Sequence, residues 1–293
     1  MKKFIKSIAI LIPALAMLSS CSMFKLDNFD GPNAEITGKL MDVVTGEKMS
    51  LEAATGQTFS WTTWTYVTTY EYGSLVVVEQ GYVPPTWGGA PEDYPGKEED
   101  QYWLVRFDGQ YTNTLVFAGT YKFSTKQLPC YEPEDGKNVF VLKEGKNKMD
   151  IGVLPYCRVK DPKIAYNAST KKLVATFYVE LGDPSRADKV TNVIFCGNTQ
   201  LFVGANTMNI VKEKAAKSQN VNPGELVTLE IDTTAPENAD LFKYANQDRY
   251  FRIGAMAEGN GYNSKKYYNF SPVFKVSADF QTIKEVEWDE FQW

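Results

Sequence analysis

Between Ser60 and Tyr72 the chain reads SWTTWTYVTTYEY, with five aromatic side chains and six Ser or Thr in thirteen positions. Flat rings beside hydroxyls suit a pyranose, whose C–H faces are apolar and whose rim is polar. They suit a protein core equally well, since each Trp or Tyr buries about 150–250 Å² there. Strand side chains alternate between faces, and the phase slips within this stretch. Phe59 and Trp61 share one parity, whereas Trp64, Tyr66, Tyr70 and Tyr72 share the other. The slip at Thr62-Thr63 predicts either a turn or a β-bulge. A hairpin would set Trp61 and Trp64 on either side of its turn. Further along, GYVPPTWGG carries Tyr82 and Trp87 on a loop stiffened by Pro and Gly, which has little conformational entropy to lose on binding. Trp61, Trp64, Tyr66, Tyr82 and Trp87 are therefore the candidate glycan-contacting residues. Asn260, Tyr262 and Asn263 in EGNGYNS form a weaker polar group.

Other chemistry is scarce. The chain has no histidine, which removes the usual general base near neutral pH, the commonest metal ligand and every Ser-His or Cys-His nucleophile. It has no Gly-x-Ser-x-Gly elbow, phosphate-cradling glycine loop or Cys-x-x-Cys. Glu92, Asp93, Glu98, Glu99 and Asp100 cluster in APEDYPGKEEDQ, but a charged run with Pro and Gly reads as a solvated loop rather than a glycosidase pair. The acidic turn Asp27 to Asp30 lacks the spaced aspartates of a calcium loop, so calcium is left open. A non-catalytic protein without a cofactor or metal is expected. Cys196, in the apolar run VIFC, reads as a small core residue. Cys130 and Cys157 each lie near a Leu-Pro, in LPCY and LPYC, and could pair in an oxidising compartment, which spacing alone leaves undecided.

The opening MKKFIKSIAILIPALAMLSSC sets Lys2, Lys3 and Lys6 before an apolar stretch, Ile8 to Leu18, that is far shorter than the roughly 20 residues of a spanning helix. It reads as a secretory signal over 1–20. Leu18-Ser19-Ser20-Cys21 resembles the bacterial lipobox, which predicts cleavage before Cys21 and lipidation of its thiol. Several acyl chains hold far better than one, since each buried methylene contributes about 0.8 kcal/mol. Residues 21–33 are polar and turn-rich, as a tether would be. Loss of the leader leaves 28 basic against 36 acidic residues, a net charge of −8 instead of −5. Such a surface repels phosphate backbones, so nucleic acid is not an expected partner.

The remaining chain is patterned for strands. Glu35 to Val43, Leu75 to Glu79, Tyr102 to Phe107, Thr114 to Val116, Tyr121 to Phe123 and Val139 to Leu142 are rich in Val, Ile, Thr, Tyr and Phe. Thr45-Gly46-Glu47, Asp108-Gly109, Ala118-Gly119, Asp135-Gly136 and Glu144-Gly145 punctuate them as turns. The second half continues with Ile164 to Tyr166, Lys172 to Glu180, Val190 to Cys196, Glu225 to Ile231 and Tyr250 to Ala257, Leu173 to Leu181 being the longest run. Met208 to Ser218 and Ala239 to Ala245 have helical composition. Short, punctuated strands predict an all-β fold of tandem sandwiches, with a boundary near Pro155 to Pro162.

Residues 27–49, DNFDGPNAEITGKLMDVVTGEKM, resemble the opening strand and turn of carboxypeptidase-regulatory or transthyretin-like domains. Residues 107–122, FDGQYTNTLVFAGTYK, resemble that fold's aspartate-glycine hairpin. With the lipobox and the closing RIGAMAEGNGYNSKKYYNFSPVFKV (252–276), the chain resembles the lipoprotein family called domain of unknown function 3823. That resemblance implies a transthyretin-like sandwich over 34–155, an immunoglobulin- or fibronectin-like sandwich over 156–277 and a tail over 278–293. It also implies a place in polysaccharide utilisation: a lipid-anchored outer-membrane protein, facing the cell surface, that holds polysaccharide beside a starch-utilisation-type importer. The alternative is a spacer or protein-interaction subunit of that complex with no glycan affinity.

Overall fold

The computed structural model describes residues 31–52, 57–60, 65–68, 73–81, 100–187, 189–205, 216–218, 221–257 and 267–287. The fold is all-β. The first half contains β1 (Ala34–Asp42), β2 (Gln57–Ser60), β3 (Thr65–Thr68), β4 (Ser74–Glu79), β5 (Gln101–Leu104), β6 (Gln110–Val116), β7 (Gly119–Ser124), β8 (Cys130–Tyr131), β9 (Val139–Leu142), β10 (Gly145–Lys148) and β11 (Ile151–Pro155). One sheet is built on β1, which pairs antiparallel with β6 on one side. On its other side β1 pairs parallel with β10 along its first residues and with β11 along its last. The second sheet has the order β5-β4-β7-β9. Between them lies a core containing Ile36, Leu40, Leu75, Trp103, Tyr121 and Val153.

The switch from β10 to β11 occurs opposite Gly38, and only glycine fits there. A Cβ at this position would stand 1.7 Å from the Met149 carbonyl oxygen. The Met149 amide donates to Thr37 O at 2.9 Å, and the buried Tyr111 hydroxyl donates to Met149 O at 2.6 Å. The sheet thus changes partner strand without orphaning a buried carbonyl.

The second half contains β12 (Cys157–Asn167), β13 (Lys172–Leu181), β14 (Val190–Asn198), β15 (Ala216–Ser218), β16 (Val227–Asp232), the one-turn helix α1 (Ala239–Phe242), β17 (Arg249–Ala257), β18 (Asn269–Phe270), β19 (Phe274–Val276) and β20 (Ile283–Glu285). A three-stranded sheet β12-β13-β16 faces a larger one, β15-β14-β17-β19-β20, with β18 also on β17. Strand β13 alternates as its sequence predicts, with Leu173, Ala175, Phe177, Val179 and Leu181 buried. Strands β14 and β17 do not alternate: Val193–Asn198 and nearly all of β17 are buried on both faces. One face meets the core shared with β13. The other meets a smaller cluster that includes Ile194, Cys196, Val203, Phe270 and Val273.

Two expectations require correction. The longest strand is β12, with 11 residues, because it continues past Pro162 through a bulge between Lys160 and Lys163. Proline is tolerated there because β12 is an edge strand. Within the stretch of helical composition, Ala216–Ser218 is instead a strand paired with β14 at Val193 to Phe195. The open edge of β14 supplies backbone partners, and that pairing overrides a weak local preference. Residues 208–215 lie outside the described residues. The other helical stretch does form α1.

Candidate functional site

The aromatic stretch forms a hairpin, not a bulge. Strand β2 pairs antiparallel with β3 in the register Gln57↔Thr68 through Ser60↔Thr65, which sets Phe59 opposite Tyr66. Trp61, Trp64, Tyr82 and Trp87 lie outside the described residues, as does the side chain of Tyr66. Cys21, the Asp27 to Asp30 turn and the Asn260, Tyr262 and Asn263 group also lie outside them. Of the acidic run only Asp100 is described, and it forms an ion pair with Lys126 at 2.8 Å.

The described residues bring together a different place, a cleft of about 490 Å³ where the two halves meet. Sequence reasoning missed it because its walls come from segments more than a hundred residues apart. Its floor is an ion pair. Asp42 falls on the core-facing phase of β1 with Ile36 and Leu40, so its carboxylate is carried to the buried end of the sandwich. A charge so placed demands a partner. Arg158, at the start of β12, supplies one: its Nη2 donates to Asp42 Oδ1 at 2.9 Å, and its Nε donates to Oδ2. Burial pushes the Asp42 carboxyl up, but hydrogen bonds from Arg158 and the Val44 amide outweigh it and hold the group below its ordinary value. The same bond raises Arg158 further.

Neighbouring groups fix the walls. Asn269 on β18 receives the Cys157 amide at 3.2 Å and donates to Pro129 O at 2.9 Å, joining the two halves through one carboxamide. Ser50 Oγ donates to Ser271 O at 2.9 Å. Behind it Arg252, fully buried, donates to Leu51 O at 2.7 Å, Ser50 Oγ at 2.6 Å and Ser271 O at 3.1 Å. Burial lowers this guanidinium to about 10, so it remains charged at neutral pH. On the first-half side, Asp108 accepts from the Gln110 amide and side chain and lies 3.9 Å from Lys48. Glu285 on β20 is pushed up by burial and by the nearby Glu287 and Glu47.

The cysteines sit around this junction but take no part in such chemistry. Cys130, Cys157 and Cys196 are all buried, and no disulfide joins Cys130 to Cys157. Burial pushes the Cys157 thiol up to about 12 and raises Cys130 as well. Among the described residues, no three His, Cys, Asp or Glu side chains converge to hold a metal ion, and no helix is long and apolar enough to cross a membrane.

No family model and no curated protein matches the chain. Solved structures do. A DUF3823 family protein from Parabacteroides merdae matches with a TM-score of 0.59 and 19% identity, covering 85% of this chain and 100% of its own. One from Bacteroides ovatus matches with a TM-score of 0.57 and 20% identity, covering 84% of this chain and 100% of its own. The fold is that of the DUF3823 proteins. A proposed carbohydrate-binding protein from Bacteroides uniformis shares it, with a TM-score of 0.61 and 29% identity over 84% of this chain and 100% of its own. The DUF3823 fold thus spans both halves of the chain.

Proposed function

We propose that this chain is a lipid-anchored member of the DUF3823 family that binds polysaccharide without cleaving it, tethered through Cys21 to the outer membrane and facing the cell surface beside an importer. The observation that carries the reading is the 29% identity to a proposed carbohydrate-binding protein over 84% of this chain. The lipobox and the lack of histidine support the anchor and the non-catalytic role. Trp61, Trp64, Tyr66, Tyr82 and Trp87 serve in this reading as the surface on which sugar rings stack.

Affinity electrophoresis of the lipidated protein in detergent, run against a panel of neutral and acidic polysaccharides, tests it. Retardation by at least one glycan without release of reducing ends is expected, and replacing Trp61, Trp64 and Trp87 together by Ala should weaken it; unchanged retardation would overturn their assignment as the stacking surface. No retardation by any glycan would overturn the binding role. Protease shaving of whole cells should remove the protein; full protection would place it on the periplasmic face.

A second reading, a spacer or interaction subunit, is favoured by apolar side chains left in water, Leu115 at 75% and Val44 at 63% exposure. Co-purification of an importer complex together with silence across the glycan panel would select it.

A further inference from the structure

The geometry points to the cleft between the two halves as a second carbohydrate site, one that takes a neutral oligosaccharide end and rejects anionic glycans. This rests on the carbohydrate-binding reading and names where, and for which class of sugar, the described residues are built. The space is sufficient: about 490 Å³ lies within the roughly 300–1,000 Å³ of small-ligand sites, which favour the junctions between domains.

The lining has unused hydrogen-bonding capacity. Arg158 carries five N–H donors. Asp42 occupies those on Nε and one on Nη2, whereas Nη1 makes only long contacts, 3.5 Å to Leu181 O and 3.9 Å to the Glu180 carboxylate. Glu47, Asp161 and Glu285 also line the cleft, with Lys160 a further cation beside Arg158 and Lys48. Hydroxyls donate to carboxylates in short, charge-assisted bonds and accept from guanidinium and ammonium groups, so a sugar rim satisfies both sets at once.

The balance of charge selects among sugars. Asp42 is neutralised by Arg158, and Asp108 is flanked by Arg106 at 3.6 Å and Lys48 at 3.9 Å. That leaves three carboxylates against Lys160 on the lining. Glu285 is already pushed up by burial and by Glu287 and Glu47. A uronate or sulfate entering there would add like charge, which costs heavily at a recognition site.

The rim also carries a backbone irregularity. Asp161 holds φ +49° within the bulge of β12 and is followed by Pro162. Non-glycine residues in this region carry a conformational cost of order 1–3 kcal/mol and concentrate at functional sites. A bulge re-aims the side chains it carries, and here Lys160 and Asp161 both line the cleft.

The test uses the full-length lipidated protein in detergent and titration calorimetry with maltohexaose, cellohexaose, mannohexaose, xylohexaose and oligogalacturonate. A neutral oligomer should bind and oligogalacturonate should not. The combined variant Glu47→Gln, Lys160→Ala and Glu285→Gln leaves the Asp42–Arg158 pair intact. With its melting temperature unchanged, it should bind the neutral oligomer at least about tenfold more weakly. Wild-type affinity in that variant, with binding lost only when Trp61, Trp64 and Trp87 are replaced, overturns the cleft while the carbohydrate-binding reading stands. Preference for oligogalacturonate overturns the claimed sugar class. Silence of the wild-type protein toward every oligomer and polysaccharide overturns both.

Discussion

Two arginines show how buried charge is handled here. Arg158 meets a carboxylate, whereas Arg252 meets oxygens of Leu51, Val203 and Ser271 and the Ser50 hydroxyl. Truncating one member of a buried pair leaves the other uncompensated, at a cost of about 3–5 kcal/mol. Asp42→Ala should therefore lower urea stability by that order. The pair also sets a pH dependence. The folded Asp42 pKa lies below its unfolded value of about 3.9, so its contribution is present above that value and lost as pH falls through the folded one. Acid titration of stability should show a downward step below about pH 4 that Asp42→Asn lacks. Arg252→Ala should cost about 3 kcal/mol or more, because several carbonyls lose their donor inside the junction. The three buried thiols predict a simpler outcome: a thiol reagent should leave the native protein unlabelled at neutral pH and label it only after unfolding.

The elements owe their shape to a few positions where the backbone has no alternative. Gly38 lets β1 change partner from β10 to β11. Gly38→Ala drives a methyl group into the Met149 carbonyl and should cost about 3 kcal/mol or more, read as a lower melting temperature. Edge strand β12 carries Lys160, Asp161, Pro162 and Lys163 in succession, the charge, proline and bulge that discourage pairing with another chain. Asp161→Gly relieves the left-handed strain and should be neutral or stabilising by up to about 1 kcal/mol.

Across the whole molecule, the junction between the halves is rich in hydrogen bonds from buried polar side chains. Asn269 ties Cys157 to Pro129, Arg252 ties β17 to Leu51, and Asp42 holds Arg158. The ring of Phe107 meets Phe202 edge-on at 5.0 Å and adds an apolar contact between the halves. Because these groups are satisfied only when both halves are folded, calorimetry should show one unfolding transition in the wild type. Combining Asp42→Ala with Arg252→Ala should split it in two.

The sequence by itself determined the all-β class, most strand positions and the turns at Gly46, Gly109 and Gly136, where the structure shows positive φ. Period-two alternation and turn chemistry are local, and β13 follows them residue by residue. Alternation was not a guide to β14 and β17, whose second face is buried by Phe270, Val273, Val286 and the 201–205 segment, a fact of packing and not of pattern. The parity slip near Thr62 was legible as a break, and only the β2–β3 register made it a hairpin. Asp42 fell within the expected strand Glu35 to Val43, and Arg158 within the expected boundary Pro155 to Pro162. Nothing within a local window couples two residues 116 positions apart, so the pair, the cleft around it and the fate of Cys130 and Cys157 were settled only when the chain closed on itself.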